Sequence, residues 1–145
     1  MNSKFDQHLM RGSWLQWSLW LLAVVPLFIG FWAFFSPYHF YEIFPFPGRH
    51  RISILGPYNE HLIRDYGANN LGFGVLLTAA AVLLERQLIQ VALVSWLAFA
   101  VPPFIFHLTQ THHFSLFNNV TQLSSLGFVA LLPIVLLFFV TTQKR

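Results

Sequence analysis

The chain has 145 residues, 56% of them hydrophobic and 9% charged, with a mean hydropathy of +0.59. Soluble domains carry roughly 25% charged residues, so this deficit points to a membrane and away from a water-filled surrounding. A formal net charge of +3 is too small and too scattered for a nucleic-acid partner, and the lack of Cys excludes disulfides, iron–sulfur clusters and thiolate zinc sites.

Residues 1–12 are polar, with Lys4, Asp6, His8 and Arg11. Residues 13–35 are apolar apart from a few polar side chains such as Gln16 and Ser18. Such a run spans a hydrocarbon core of about 30 Å. Trp14, Trp17 and Trp20 near its start read as an interfacial aromatic belt. The run is longer than a signal-peptide core of roughly 7–15 residues, and Phe34-Phe35-Ser36-Pro37 is no small-residue cleavage site. A retained helix is therefore expected.

Residues 36–57 are rich in proline and turn signals: Ser36-Pro37, Phe44-Pro45-Phe46-Pro47-Gly48 and Gly56-Pro57. Proline fixes φ and removes a donor, so no helix is expected here. The segment also carries Tyr38, Phe40, Tyr41, Phe44, Ile52 and Leu55. A loop this apolar should pack onto the helix ends as a cap.

The second helix is expected over 58–84. Pro57 suits its first turn, Asn59 can cap it, and Glu60 complements the helix dipole. At about 100° per residue, His61, Asp65, Ala68 and Gly72 share one face. Arg64 lies about 60° to one side and Asn69 about 80° to the other. Ala68 and Gly72 have the small-xxx-small spacing that permits close helix contact. Asn69 and Asn70 diverge, so at most one faces the same way as His61; the other should bond a neighbouring helix. Glu85-Arg86-Gln87 reads as a tight polar turn.

A third helix is expected over 88–108, kinked by Pro102-Pro103. Residues 109–119 form a polar loop with His112 and His113, and a fourth helix is expected over 120–140. Thr121, Ser124 and Ser125 suit interhelical bonds. These elements predict an all-α, membrane-embedded four-helix bundle in one domain, with an apolar extracytoplasmic loop capping one end. The surrounding partner is the lipid bilayer. A membrane protein partner or a homo-oligomer is compatible with the pattern.

Positive charges set the orientation. With the N-terminus cytoplasmic, the inside collects Lys4, Arg11, Arg86, Lys144 and Arg145, and the outside Arg49, Arg51 and Arg64. That balance favours a cytoplasmic membrane with both termini inside.

In this topology Glu60, His61, Arg64 and Asp65 reach the same mouth of the bundle as His107, His112 and His113. Ionisable groups at a membrane are costly and usually face an interior or a cavity. One reading pins loop to helix: Glu60 or Asp65 with Arg64, Arg49 or Arg51, and His61 on a backbone carbonyl. The other is a water-accessible ligand site formed by Glu60, His61, Arg64, Asp65 and Asn69, with His107 across from them. His61, Asp65, Glu60 and His107 could also offer nitrogen and oxygen to a metal, or His61 and His107 could flank a haem, yet no zincin motif is present. A histidine beside carboxylates can move protons, but no nucleophile elbow or phosphate loop accompanies it. Two functions follow: a small-ligand binder or accessory subunit, or a membrane enzyme or metal-binding protein acting on a lipid, quinone or ion. No cofactor is indicated.

The string Gly56-Pro57-Tyr58-Asn59-Glu60-His61-Leu62-Ile63-Arg64-Asp65-Tyr66-Gly67-Ala68-Asn69-Asn70 resembles small bacterial four-helix membrane proteins of the broad DoxX-like class. The resemblance extends to Phe40-Tyr41-Glu42-Ile43-Phe44-Pro45, Pro47-Gly48-Arg49, Pro103 and His107. It implies a fold and a membrane location, and it brings no activity. Where that group carries a histidine directly after the proline, this chain has Phe104, and His107 is the later match.

Overall fold

The computed structural model describes residues 13–48, 50–54, 56–109 and 115–142. Lys4, Asp6, His8, Arg11, Arg49, Leu55, His112, His113, Lys144 and Arg145 lie outside the described residues. The described chain is all α-helical in its regular structure: α1 (Trp14–Phe35), α2 (Pro37–Ile43), α3 (Glu60–Leu83), α4 (Arg86–Thr109) and α5 (Leu116–Thr142). All but α2 are long and apolar enough to cross a membrane.

Local chemistry sets the helix ends. Ser13 caps α1, its hydroxyl accepting from the Gln16 N–H, and Asn59 caps α3, its Oδ1 accepting from the Leu62 N–H at 3.1 Å. The expectation of no helix in 36–57 is corrected by α2. Pro37 occupies the first turn, where its missing N–H is an orphan donor in any case, so proline starts this helix and does not forbid it. The turn between α3 and α4 is shorter than expected. Arg86 and Gln87 are already helical, and Leu84 takes the left-handed conformation (φ 52°, ψ 33°) with its N–H on Ala80 O. A leucine is strained there, and its side chain is fully buried, which offsets the strain. The helix assignment of α4 runs unbroken through Pro102 and Pro103. Thr109 and 116–119, expected as loop, belong to α4 and α5.

Consecutive long helices run antiparallel. At one end, Trp14 meets Phe139 edge-on at 4.6 Å, the Gln16 amide donates to Ala81 O at 3.0 Å, and Arg86 donates to Thr141 O at 2.9 Å. A large core joins all four long helices there through Leu15, Leu19, Leu77, Leu84, Ile89, Trp96 and Leu136. At the other end, a smaller core of Ala33, Phe40, Tyr41 and Ile63 seats α2 and the loop after it. The Tyr41 hydroxyl ties that loop by donating to Gly56 O at 2.7 Å.

The most extensive contact is α1 on α3, followed by α4 on α5. Glycine explains the first. A Cβ on Gly67 would lie 2.6 Å from Phe34 N and 3.0 Å from Gly30 O; one on Gly30 would lie 2.8 Å from Gly67 O. Gly74 is equally tight against Leu27. This corrects the expected Ala68/Gly72 contact: a Cβ on Gly72 would have nothing within 4 Å, and Ala68 is exposed. Without lipid-excluded water to drive association, helices gain from backbone approach, and Gly67 and Gly74 permit it on the face that meets α1. The outer surface carries Phe28, Phe31, Phe35, Val75, Val94, Phe128, Leu131 and Phe138, all exposed. An apolar band on this scale suits hydrocarbon as its solvent.

Candidate functional site

The loop-capped end of the bundle gathers the first turns of α3, the last turns of α4 and the first turns of α5. The structure divides the expected site residues into two groups.

The first group sits on the outward face of α3. Glu60 Oε1 accepts from Arg64 Nε at 2.8 Å and pairs with its Nη2 at 2.8 Å, and Arg64 also donates from Nη1 to Phe34 O. Arg64 thus spends its fork on Glu60 and on the end of α1, and its guanidinium lies 5.9 Å from the Phe34 ring centroid. Asp65, the other expected partner of Arg64, instead faces His61, Nε2 to Oδ2 3.4 Å. The side chains of His61 and Asp65 are 89% and 58% exposed. Asn69 is exposed on the same side, whereas Asn70 is 1% exposed and donates to Tyr66 O of its own helix. So His61 faces a carboxylate at ion-pair distance and not a backbone carbonyl, and Asn70 bonds its own helix and not a neighbour. The shared face of His61, Asp65, Ala68 and Gly72 is real, and it points outward because Gly67, Asn70 and Gly74 hold the opposite face against α1. Tyr58, just before α3, has its phenol held above its ordinary value, first by local desolvation and then by the Glu60 carboxylate.

The second group joins α4 to α5 and to the loop. His107 is half-buried, and its Nδ1 meets the side-chain amide of Gln122. Gln122 is 8% exposed. Its other amide end, Oε1, has no hydrogen-bond partner among the described residues. Arg51 reaches from the loop to donate to Thr121 Oγ1 and lies within electrostatic reach of His107. That contact replaces the expected pairing of Arg51 with Glu60 or Asp65. Thr121 and Ser125 bond carbonyls of their own helix, so the expected interhelical hydroxyl bonds are corrected: Gln122 makes the interhelical bond.

One pocket holding both groups is therefore not what the helix faces produce. A recess of about 170 Å³ does open beneath the loop, lined by Tyr41, Ile52, Gly56, Pro57, Asn59, Leu62 and Ile63, none of them an expected ionisable group. Among the described residues, no three His, Asp or Glu side chains gather as a metal ion would require, so His61, Asp65, Glu60 and His107 do not form one donor set. Sequence reasoning passed over Gln122. Its signal was present: a long amide in the opening turns of an apolar run, at the depth of His107.

The chain matches a family model described as a domain of unknown function (DUF4345) over residues 14–102. No curated protein and no solved structure matches it. The matched span covers α1, α2, α3 and most of α4; His107 and Gln122 lie beyond it. Because that span is well over half of the 145 residues, this chain, four of whose described helices can cross a membrane, belongs to the DUF4345 family.

Proposed function

We propose that the protein is a non-enzymatic small-ligand binder or accessory subunit of the bacterial cytoplasmic membrane, acting through the loop-capped end of its bundle. Both termini are cytoplasmic in this reading, as the excess of Lys and Arg in the terminal sequence segments and at Arg86 favours, and the cap is extracytoplasmic. The layout of four apolar helices with an apolar cap supports a place beside the DoxX-like class. His107 lies in the ligand site with Gln122, and Glu60, His61, Arg64, Asp65 and Asn69 offer a separate polar surface on the outward face of α3 at the same end.

The observation that carries the reading is Gln122: a buried amide, fixed at one end by His107 and, among the described residues, unsatisfied at the other. Buried polar atoms are nearly always paired, so an orphan at the mouth of a bundle marks a place where something else binds. A mass spectrum of small molecules co-purified with the protein tests this. A species present in stoichiometric amount and absent from Gln122→Leu supports it; no species that depends on Gln122 sinks it.

A second reading, a membrane enzyme or metal-binding protein acting on a lipid, quinone or ion, is favoured by the exposed His61–Asp65 pair, which can exchange protons with solvent. Metal analysis and a visible spectrum discriminate. A stoichiometric transition metal or a Soret band would move the assignment to this second class.

A further inference from the structure

We infer that the His107–Gln122 pair seats the headgroup of one anionic phospholipid bearing a hydroxyl beside its phosphate, of the phosphatidylglycerol kind. This rests on the reading of the loop-capped end as a ligand site and names the ligand's chemistry.

Whichever way its amide is turned, the pair leaves one acceptor and at least one N–H donor without a partner among the described residues. With Gln122 Nε2 donating to His107 Nδ1, the neutral ring carries its proton on Nε2; the acceptor left over is Gln122 Oε1, and the donors are His107 Nε2–H and the second Gln122 N–H. With the amide reversed, Nδ1–H donates, and the groups left over are the Gln122 amide N–H donors and the bare His107 Nε2. A ligand that satisfies both must carry a hydroxyl and a strong acceptor a few atoms apart. A glycerol phosphate does: its hydroxyl donates to the free acceptor, and a phosphoryl oxygen accepts from the free donor. Arg51, held on Thr121 next to Gln122, supplies positive charge for the phosphate.

Depth and surroundings agree. His107 lies in the last turn of α4 and Gln122 in the second turn of α5, near the ends of two helices long and apolar enough to cross a membrane. Exposed Ile105, Phe106, Leu108, Leu116, Phe117 and Val120 lie on the same turns of α4 and α5 or the turns next to them, and offer an apolar surface to acyl chains. Phosphatidylcholine lacks the hydroxyl donor. Phosphatidylethanolamine brings an ammonium group toward Arg51.

Native mass spectrometry of the full chain, released from micelles holding equal phosphatidylglycerol and phosphatidylcholine, tests the assignment. The expected result is one retained phosphatidylglycerol per chain, favoured about tenfold over phosphatidylcholine, the factor one good hydrogen bond supplies. Gln122→Leu should erase that preference. Gln122→Glu, which keeps the size and adds a charge that repels phosphate, should do the same and serves where the Leu variant fails to fold. Equal retention of the two lipids by the unaltered chain overturns the inference, as does an undiminished preference in either folded variant. Displacement of the lipid by free glycerol phosphate would also overturn it, since the soluble headgroup would then be the ligand. A bound species of other chemistry that depends on Gln122 would remove the lipid assignment and leave the broader reading standing; no Gln122-dependent species would remove both.

Discussion

Gly67 and Gly72 stand five positions apart on α3 and have opposite tolerances. A methyl group on Gly67 meets the backbone of α1 at 2.6 Å, and backbone cannot move aside as a side chain can. Gly67→Ala should therefore cost about 1–3 kcal/mol, the range for overpacking a tight contact. Gly72→Ala meets open space and should leave stability unchanged or raise it by about 0.5–1 kcal/mol, because alanine loses less entropy in a helix. Unfolding of both variants in the same detergent checks this, and equal losses would contradict the packing described. The His61–Asp65 pair makes a different demand. Both side chains are mostly exposed, so Asp65→Asn should shift stability by no more than about 1 kcal/mol. A loss of several kcal/mol in the same assay would mean the pair is covered by something outside this chain.

At the scale of elements, α4 and α5 are joined by a bond that water or lipid cannot replace. Trp96 Nε1 donates to Val129 O at 2.8 Å from a nearly buried ring. Trp96→Phe retains most of the ring and removes the donor, so a loss of about 0.5–1.5 kcal/mol is expected. The α3–α4 turn depends on Leu84, whose left-handed backbone is held because its side chain is sealed in the main core. Leu84→Ala removes that burial and leaves the strain. A cost of about 2–5 kcal/mol is expected, again read from unfolding in detergent. Leu84→Gly should recover part of that cost by relieving the backbone, and a Gly variant less stable than the Ala variant would show that strain is not the issue.

For the whole molecule, the proposed orientation is open to a direct test because the chain has no Cys of its own. In sealed cells, a membrane-impermeant thiol reagent should label Ile54→Cys, on the exposed cap, and spare Glu85→Cys, at the opposite end. Labelling of position 85 from outside would invert the topology and place the cap in the cytoplasm. The fold itself would survive that result, since it depends on apolar length and packing and not on which leaflet meets which loop.

The number of long helices and their membrane character were determined by the sequence alone, because apolar length and the lack of charge are properties each segment carries by itself. The same holds for the Asn59 cap, a bond between neighbours in the chain. The short helix α2 was missed because proline reads as a breaker unless its place in the first turn is known. The candidate site was legible only in part. Periodicity put His61, Asp65, Ala68 and Gly72 on one face correctly, yet it could not say whether that face looks in or out. Two small-residue stripes on α3 compete for the close contact, Ala68/Gly72 and Gly67/Gly74. Only packing against Gly30 and Leu27 of α1 decides for the second. That rotation turns the ionisable face outward, separates it from His107, and leaves His107 to a glutamine on α5, a partner set by the pairing of two helices and not by spacing along either.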